Sequence, residues 1–226
     1  MDAIHGPYSM SVIITTYSAD RRETISRVVA AWLAQPVAQV WLIDGSGGLA
    51  RGHIACAATD DRFEYWPLWR DHGTQTDYAL ALLTDGDYVI LADDDFLPLN
   101  GITDDLMAGL HNADIVGVIG RAFHGPDYRR DTTFYAARDV TEPVMVDFCG
   151  VCLMAGREWF GFDTRGMHRN CDDLWFQMRA RPEARKYVVP TRNYENLPCC
   201  QHGMFQDRHL ARVRQAFYKE HWNADS

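Results

Sequence analysis

Tyr88-Val89-Ile90-Leu91-Ala92-Asp93-Asp94-Asp95 is a mostly apolar, strand-forming run that ends abruptly in three carboxylates. An apolar run of this length reads as a strand buried on both faces, the kind found in parallel sheets covered by helices. The sequence ahead of it alternates. Met10 to Thr16 is apolar and β-branched, Arg21 to Leu33 has helical periodicity, and Val40 to Ile43 is a second apolar run. Phe63 to Trp66 then reads as a third strand and Thr74 to Leu83 as a second helix. This order predicts an α/β fold with a mixed, mostly parallel sheet flanked by helices. In open sheets of this class the ligand crevice lies outside the carboxyl ends of the strands. Three segments occupy such places: Thr15-Thr16-Tyr17, Asp44-Gly45-Ser46 and Asp93-Asp94-Asp95.

Further along, Ile115 to Ile119 reads as a strand, Val144 to Met154 as one long buried strand, and Asp172 to Ala180 as a short helix opened by acids. Asp207 to Trp222 has the pattern of an amphipathic helix that packs back on the body. Ala122 to Pro143 is polar and aromatic, with Gly125-Pro126 inside it. It reads as a long loop or irregular hairpin on the ligand face, either a binding element or an ordinary surface excursion.

A chain of 226 residues with 47% apolar content is expected to form one domain. A net charge of −9 argues against a general nucleic-acid-binding surface and favours cations as partners. No apolar run reaches the roughly 18–20 residues of a membrane span, and Met1 to Tyr8 lacks a signal-peptide pattern, so a cytoplasmic protein is expected. Six cysteines are too dilute for a disulfide scaffold. Cys149 and Cys152 have redox or zinc spacing but fall within an apolar run, which favours buried thiols. Cys199-Cys200 with His202 has zinc-ligand types without a second knuckle to complete them.

Side chains alternate along a strand, so Asp93 and Asp95 can converge at its tip. Uncompensated charges there need a cation, and oxygen-only ligands suit Mg²⁺ or Mn²⁺ bridging a pyrophosphate. The competing reading is a solvated acidic turn. A second acidic site lies in Asn170-Cys171-Asp172-Asp173-Leu174. Helix-dipole stabilisation explains Asp172 adequately. Asp173, facing the same crevice, has the chemistry of a base toward a hydroxyl, or of a nucleophile or ion-pair partner at an electrophilic carbon.

Ser11 to Tyr17, Val40 to Asp44 and Val89 to Asp95 together resemble the nucleotide-sugar half of GT-A glycosyltransferases. Ile115 to Arg121, Phe148 to Met154, Asn170 to Asp173 and Gly203-Met204-Phe205 resemble, more narrowly, the exostosin-like family, in order along nearly the whole chain. The resemblance implies a retaining, Mn²⁺-dependent enzyme using a UDP-sugar donor. Its nucleotide-sugar half would span about residues 10–121 and its acceptor half about 122–226. By the same resemblance Thr16 and Tyr17 line the nucleotide pocket and Asp44 takes the place of a uracil-contacting residue, and Thr15, on the same turn, is a further candidate for the nucleotide pocket. Asp95 is the principal metal ligand, Asp93 and Asp94 serve metal, ribose or sugar, and Asp173 sits beside the anomeric carbon; Asp173 and Asp172 are the candidate catalytic residues.

The chain departs from the family ahead of the acidic strand, where Arg70 is the one stand-in for an Asn/Arg-rich donor grip. After Phe205 a His-Arg pair is replaced by Gln206-Asp207-Arg208, leaving Arg208 for the pyrophosphate and His202 as a late metal ligand. Gly161-Phe162-Asp163 resembles instead the large inverting family, in which Asp173 would be the general base. The expected activity is transfer of a hexose or N-acetylhexosamine to a hydroxyl of a glycan, a lipid-linked precursor or a hydroxylated DNA base, in a bacterial or viral cytoplasm. A nucleotidyltransferase and a non-catalytic nucleotide-sugar-binding module are the alternatives. The first lacks its Gly-rich, basic first loop between Thr15 and Arg22, and the intact acids argue against the second.

Overall fold

The computed structural model describes residues 8–17, 21–48, 50–54, 59–70, 72–73, 75–128, 130–163, 167, 171–198 and 208–221. The apolar runs of the first half form β1 (Met10–Thr16), β2 (Gln39–Asp44), β3 (Phe63–Pro67) and β4 (Tyr88–Asp93), with α1 (Arg22–Leu33) and α2 (Gln75–Leu80) between them. There follow β5 (Phe96–Pro98), α3 (Ile102–Leu110), β6 (Ile115–Phe123), β7 (Asp131–Tyr135) and α4 (Ala136–Asp139). The chain continues through β8 (Val144–Val146), β9 (Phe148–Gly156), α5 (Asp172–Trp175), β10 (Lys186–Val188), β11 (Tyr194–Asn196) and α6 (Arg208–His221).

Among the described residues the main sheet has nine strands in the order β3-β2-β1-β4-β9-β6-β10-β8, with β7 on β6, while β11 pairs β5 separately. It is parallel through its first four strands, and β9 then enters antiparallel between β4 and β6. Every residue of β1 and β2 is buried, as continuous apolar runs require when helices cover both faces. No helix among the described residues is long and apolar enough to cross a membrane.

The expected long strand over Val144 to Met154 is two strands broken at Asp147: β8 pairs β10, whereas β9 pairs β4 and β6. Asp147 makes the break, because its carboxylate turns back to accept the N–H of Phe123 at 2.7 Å. The long segment expected between Ala122 and Pro143 is largely ordered as a hairpin, with Ile119 to Phe123 of β6 paired to β7. The helix expected over Thr74 to Leu83 is α2 followed by a 3₁₀ turn at Ala81–Leu83, and the one over Asp172 to Ala180 is α5 followed by a π turn at Phe176–Ala180.

Two irregularities near the end of β9 bear on the site. Gly117 pairs Leu153 and Ile119 pairs Gly150, so Val118 faces two residues of β9 in a bulge. Within it Val151 has φ of 66°, a left-handed conformation that costs a β-branched residue about 1–3 kcal/mol. Because Cys152 pairs Ala92, this strained residue lies beside Asp93. One residue further out, β4 has ended, and the backbone of Cys149 is satisfied by a side chain instead. The buried Gln177 amide accepts the Cys149 N–H at 2.7 Å and donates to the Cys149 carbonyl at 2.6 Å.

A second apolar cluster stands apart from the main core. Phe123, Tyr128, Phe148, Cys171, Leu174, Phe217 and Tyr218 pack together, so that α6 docks on the β6–β7 hairpin and on α5. Tyr218 donates to the Gly125 carbonyl at 2.9 Å and Gln215 to that of Pro126 at 3.1 Å.

Gln177→Ala is expected to lower unfolding free energy by about 2–4 kcal/mol, since two buried backbone groups lose their partners at once. Urea denaturation followed by circular dichroism measures it. A loss below about 1 kcal/mol would show that water replaces the amide at no cost.

Candidate functional site

Register decides which residues meet. Thr15 lies opposite Asp93 and Thr16 opposite Asp44, so the three strand ends chosen from the sequence share one edge of the sheet. The two threonine hydroxyls are tied to acids: Thr16 donates to Asp94 at 2.6 Å and Thr15 to Asp77 at 3.3 Å. Tyr17 packs its ring against Gly45, where a Cβ would lie 2.7 Å from it, so only glycine permits this approach.

Asp44 is fully buried and engages its carboxylate with the loop after it. It accepts the N–H of Ser46 at 2.8 Å, the Ser46 hydroxyl, the N–H of Ala50 at 3.0 Å and the Tyr65 hydroxyl at 2.6 Å. Burial pushes this carboxyl up, but the bonds from Ser46, Tyr65 and Ala50 outweigh it and leave it below its ordinary value. Gly47 and Gly48, at φ of 81° and 93°, let the loop curl tightly around it. Asp44 therefore holds in place the loop that follows β2.

The acidic triplet is not solvated. Asp95 pairs with Arg21 at 2.8 Å, and Asp94 lies 3.4 Å from the same guanidinium nitrogen. Burial pushes Asp94 up to about 6 even though Arg21 and Thr16 work the other way. Asp93 is densely surrounded yet still reached by solvent at the strand tip. Its carboxyl is raised well above the ordinary value by burial first, then by the charges of Asp95, Asp94 and Asp173. Asp77, on the first turn of α2, is raised likewise by burial and then by Asp172, with Asp93 adding to it. These carboxyls, carried by β4, α2 and α5, thus crowd one another.

Asp173 is held from outside the sheet. Arg214 of α6 grips it with a two-bonded fork, Nη1 at 2.9 Å and Nη2 at 2.8 Å, and the Tyr128 hydroxyl lies 3.1–3.2 Å from the same guanidinium. Asp172 is buried beneath, facing Asp77. Arg70 follows β3 on the same edge, two residues after Leu68, whose N–H donates to the Asp44 carbonyl at 2.9 Å, and it is stacked over the exposed Trp69 at 4.3 Å and 3.4 Å from His72. His202 and Asn170 lie outside the described residues, and Arg208 opens α6 with its side chain outside them.

Sequence reading missed Arg21, Asp77 and Arg214. Two of them carried a signal. Asp77 is four residues before the buried Ala81, and Arg214 is three and four residues before Phe217 and Tyr218, so each charge sits on the apolar face of its helix. Arg21 carried none, since its partners lie 73 and 74 residues away.

The burial of Asp77 has a measurable sign. A carboxyl with a folded value above its unfolded one contributes stability below the unfolded value and loses it as pH rises through the folded value. Asp77→Asn keeps one acceptor oxygen for the N–H of Tyr78, turns its amide NH₂ toward the Thr15 hydroxyl, which then accepts, and carries no charge. Its melting temperature is expected to exceed the parent's at pH 7.5, by about 2–4 °C per kcal/mol of relief, with the gap closing toward pH 4. Differential scanning calorimetry across that range is the check, and parallel curves would contradict the assignment.

No protein-family model matches the chain, and no curated protein matches it. Solved structures do. S. aureus TarS 1-349 in complex with UDP-GlcNAc aligns at a TM-score of 0.64 and 14% identity, covering 93% of this chain and 66% of that one. TarS 1-349 without a named ligand aligns at 0.60 and 15%, covering 82% and 59%. GalNAc-T7 with UDP, GalNAc and Mn²⁺ aligns at 0.62 and 11%, covering 86% of this chain and 44% of that one. The chain thus spans roughly two thirds or less of these relatives' length. Its helix-flanked, mostly parallel mixed sheet is the fold of the GT-A glycosyltransferases.

Proposed function

We propose that the chain is a glycosyltransferase that moves a hexose or N-acetylhexosamine from a UDP-sugar to a hydroxyl acceptor with a divalent cation, retaining anomeric configuration. One observation carries the reading: the strand ends bearing Thr16, Asp44 and Asp93 to Asp95 meet at one sheet edge, with Asp173 close enough to raise the Asp93 carboxyl. The shared fold of TarS, solved with UDP-GlcNAc, and of GalNAc-T7, solved with UDP and GalNAc, supports the choice of donor.

The residues fit a cation as a half-site. Among the described residues no group of three His, Cys, Asp or Glu side chains is placed to enclose a metal ion. Asp93 and Asp95 nonetheless offer hard oxygens whose mutual repulsion a cation would relieve, and donor phosphates would supply further oxygens. Mg²⁺ or Mn²⁺ held there would neutralise charge on the departing diphosphate. His202 is proposed as a late ligand and Arg208 as a phosphate contact. Tyr17 and the loop organised by Asp44 form the nucleoside wall, and Arg70 with Trp69 borders it. Thr15 and Thr16 fix the carboxylates of Asp77 and Asp94, and Asp94 is oriented toward the ribose or sugar.

Asp173 is assigned to the anomeric carbon. Its fork with Arg214 fixes both oxygens, a geometry suited to stabilising positive charge in place and less suited to accepting a proton. Asp172 braces the start of α5 beneath it.

Asp95→Asn is expected to abolish the enhancement of UDP binding by Mn²⁺ while the protein stays folded, as read by calorimetric titration. Unchanged affinity would remove the cation from the site. Asp173→Asn is expected to lower kcat by about a hundredfold or more with donor affinity preserved. Proton NMR of the first-formed anomer then separates an α product, expected here from an α-linked donor, from the β product of an enzyme using Asp173 as base.

A further inference from the structure

Arg21 occupies the junction between the end of β1 and the first turn of α1, at the N-cap position of that helix. Its side chain is 11% exposed and bridges Asp94 and Asp95 across a chain separation that only the β1–β4 pairing brings together. The same place in an α/β sheet, a helix start after the first strand, is favourable for a phosphate, because helix N–H groups and positive charge converge there. In the structure the anions beside Arg21 are two carboxylates of the chain itself.

This arrangement sets a charge constraint on the proposed donor site, on which the inference rests. A cation entering alone must compete with Arg21 for Asp95. A nucleotide diphosphate entering alone must draw Arg21 away from two carboxylates that would then repel each other and Asp93 without its charge between them. Entering together, the two ligands exchange partners, so that the cation meets the carboxylates and the guanidinium meets the phosphates, and each group of anions keeps a positive partner.

We propose that Arg21 is an internal counter-ion that passes from Asp94 and Asp95 to the donor's pyrophosphate when a cation binds, and so couples the two ligands. Arg21 is then a binding residue for the donor and the origin of positive cooperativity between nucleotide and metal. By linkage the coupling is reciprocal and is lost when the exchanging group is removed.

The test is calorimetric titration of the full chain with Mn²⁺ alone, with UDP in the presence of chelator, and with UDP at saturating Mn²⁺. It is run on the parent, Arg21→Gln and Arg21→Lys, each checked for a cooperative thermal transition. The parent is expected to bind UDP at least about tenfold more tightly with Mn²⁺ than without it. In Arg21→Gln, Mn²⁺ alone is expected to bind about fivefold or more tighter, because its competitor is gone, while UDP with Mn²⁺ binds about tenfold weaker. The opposite directions are the signature, since a merely structural arginine would weaken both. Arg21→Lys, which keeps the charge but not the fork, is expected to fall between, and it carries the test if Arg21→Gln does not fold. Mn²⁺ affinity unchanged or weakened in a folded variant would overturn the proposal. Failure of the parent itself to bind Mn²⁺ in any state would instead overturn the reading of the triplet as a cation site, and the exchange with it.

Discussion

Mutual repulsion among the carboxylates of Asp77, Asp93, Asp94, Asp95, Asp172 and Asp173 is the constraint that the surrounding structure answers, because strand register and helix placement leave these groups no room to separate. Arg21 reaches in from the start of α1, Arg214 from α6, and the threonine hydroxyls of β1 each hold one oxygen in place. Burial, and then the charges of the neighbouring carboxylates, keep Asp77 and Asp93 protonated more readily than free carboxylates. Some stability is thereby given up to a local field that is unfavourable to the empty chain and favourable to a ligand bringing positive charge.

The second half of the chain serves this edge of the sheet. β9 lies against β4 and distorts beside Asp93, where the left-handed Val151 gives way to a backbone supported by Gln177. The aromatic cluster under α6 delivers Arg214 to Asp173, with Tyr128 of the β6–β7 connection as the brace. Position here comes from packing on a rigid base, and charge comes from a single side chain at the end of it.

The first half was legible because its signals are local. The apolar runs at Met10 to Thr16, Val40 to Ile43 and Tyr88 to Ala92 admit one reading as buried strands, and the residues just after each run land on the ligand edge by the geometry of parallel sheets. The second half was less so. A run such as Val144 to Met154 shows no break, because the residue that divides it, Asp147, acts through a partner 24 residues away. β10 and β11 are three residues each, too short to show alternation. In the site, the acids that end strands or open helices stood out by position, whereas their counter-ions did not. An arginine on an amphipathic helix looks alike in sequence whether it faces solvent or a buried carboxylate. Asp44 does end its strand, as the pattern showed, but only the fold shows that its oxygens accept from Ser46, Ala50 and Tyr65.

The insertion of β9 between β4 and β6 has a consequence for how the chain assembles during synthesis. β1 to β4 can pair with one another as soon as residue 93 has emerged, but the outer edge of β4 has no neighbour until residues 148–156 are made. For that interval the nascent chain carries an open, apolar strand edge ending in acids. Such an edge invites pairing with the wrong partner, and the charges at its tip work against that outcome. Closing the sheet then demands contacts over more than fifty residues of sequence, as the pairing of β1 with β4 does, and such non-local pairing is slower to form than the flanking helices.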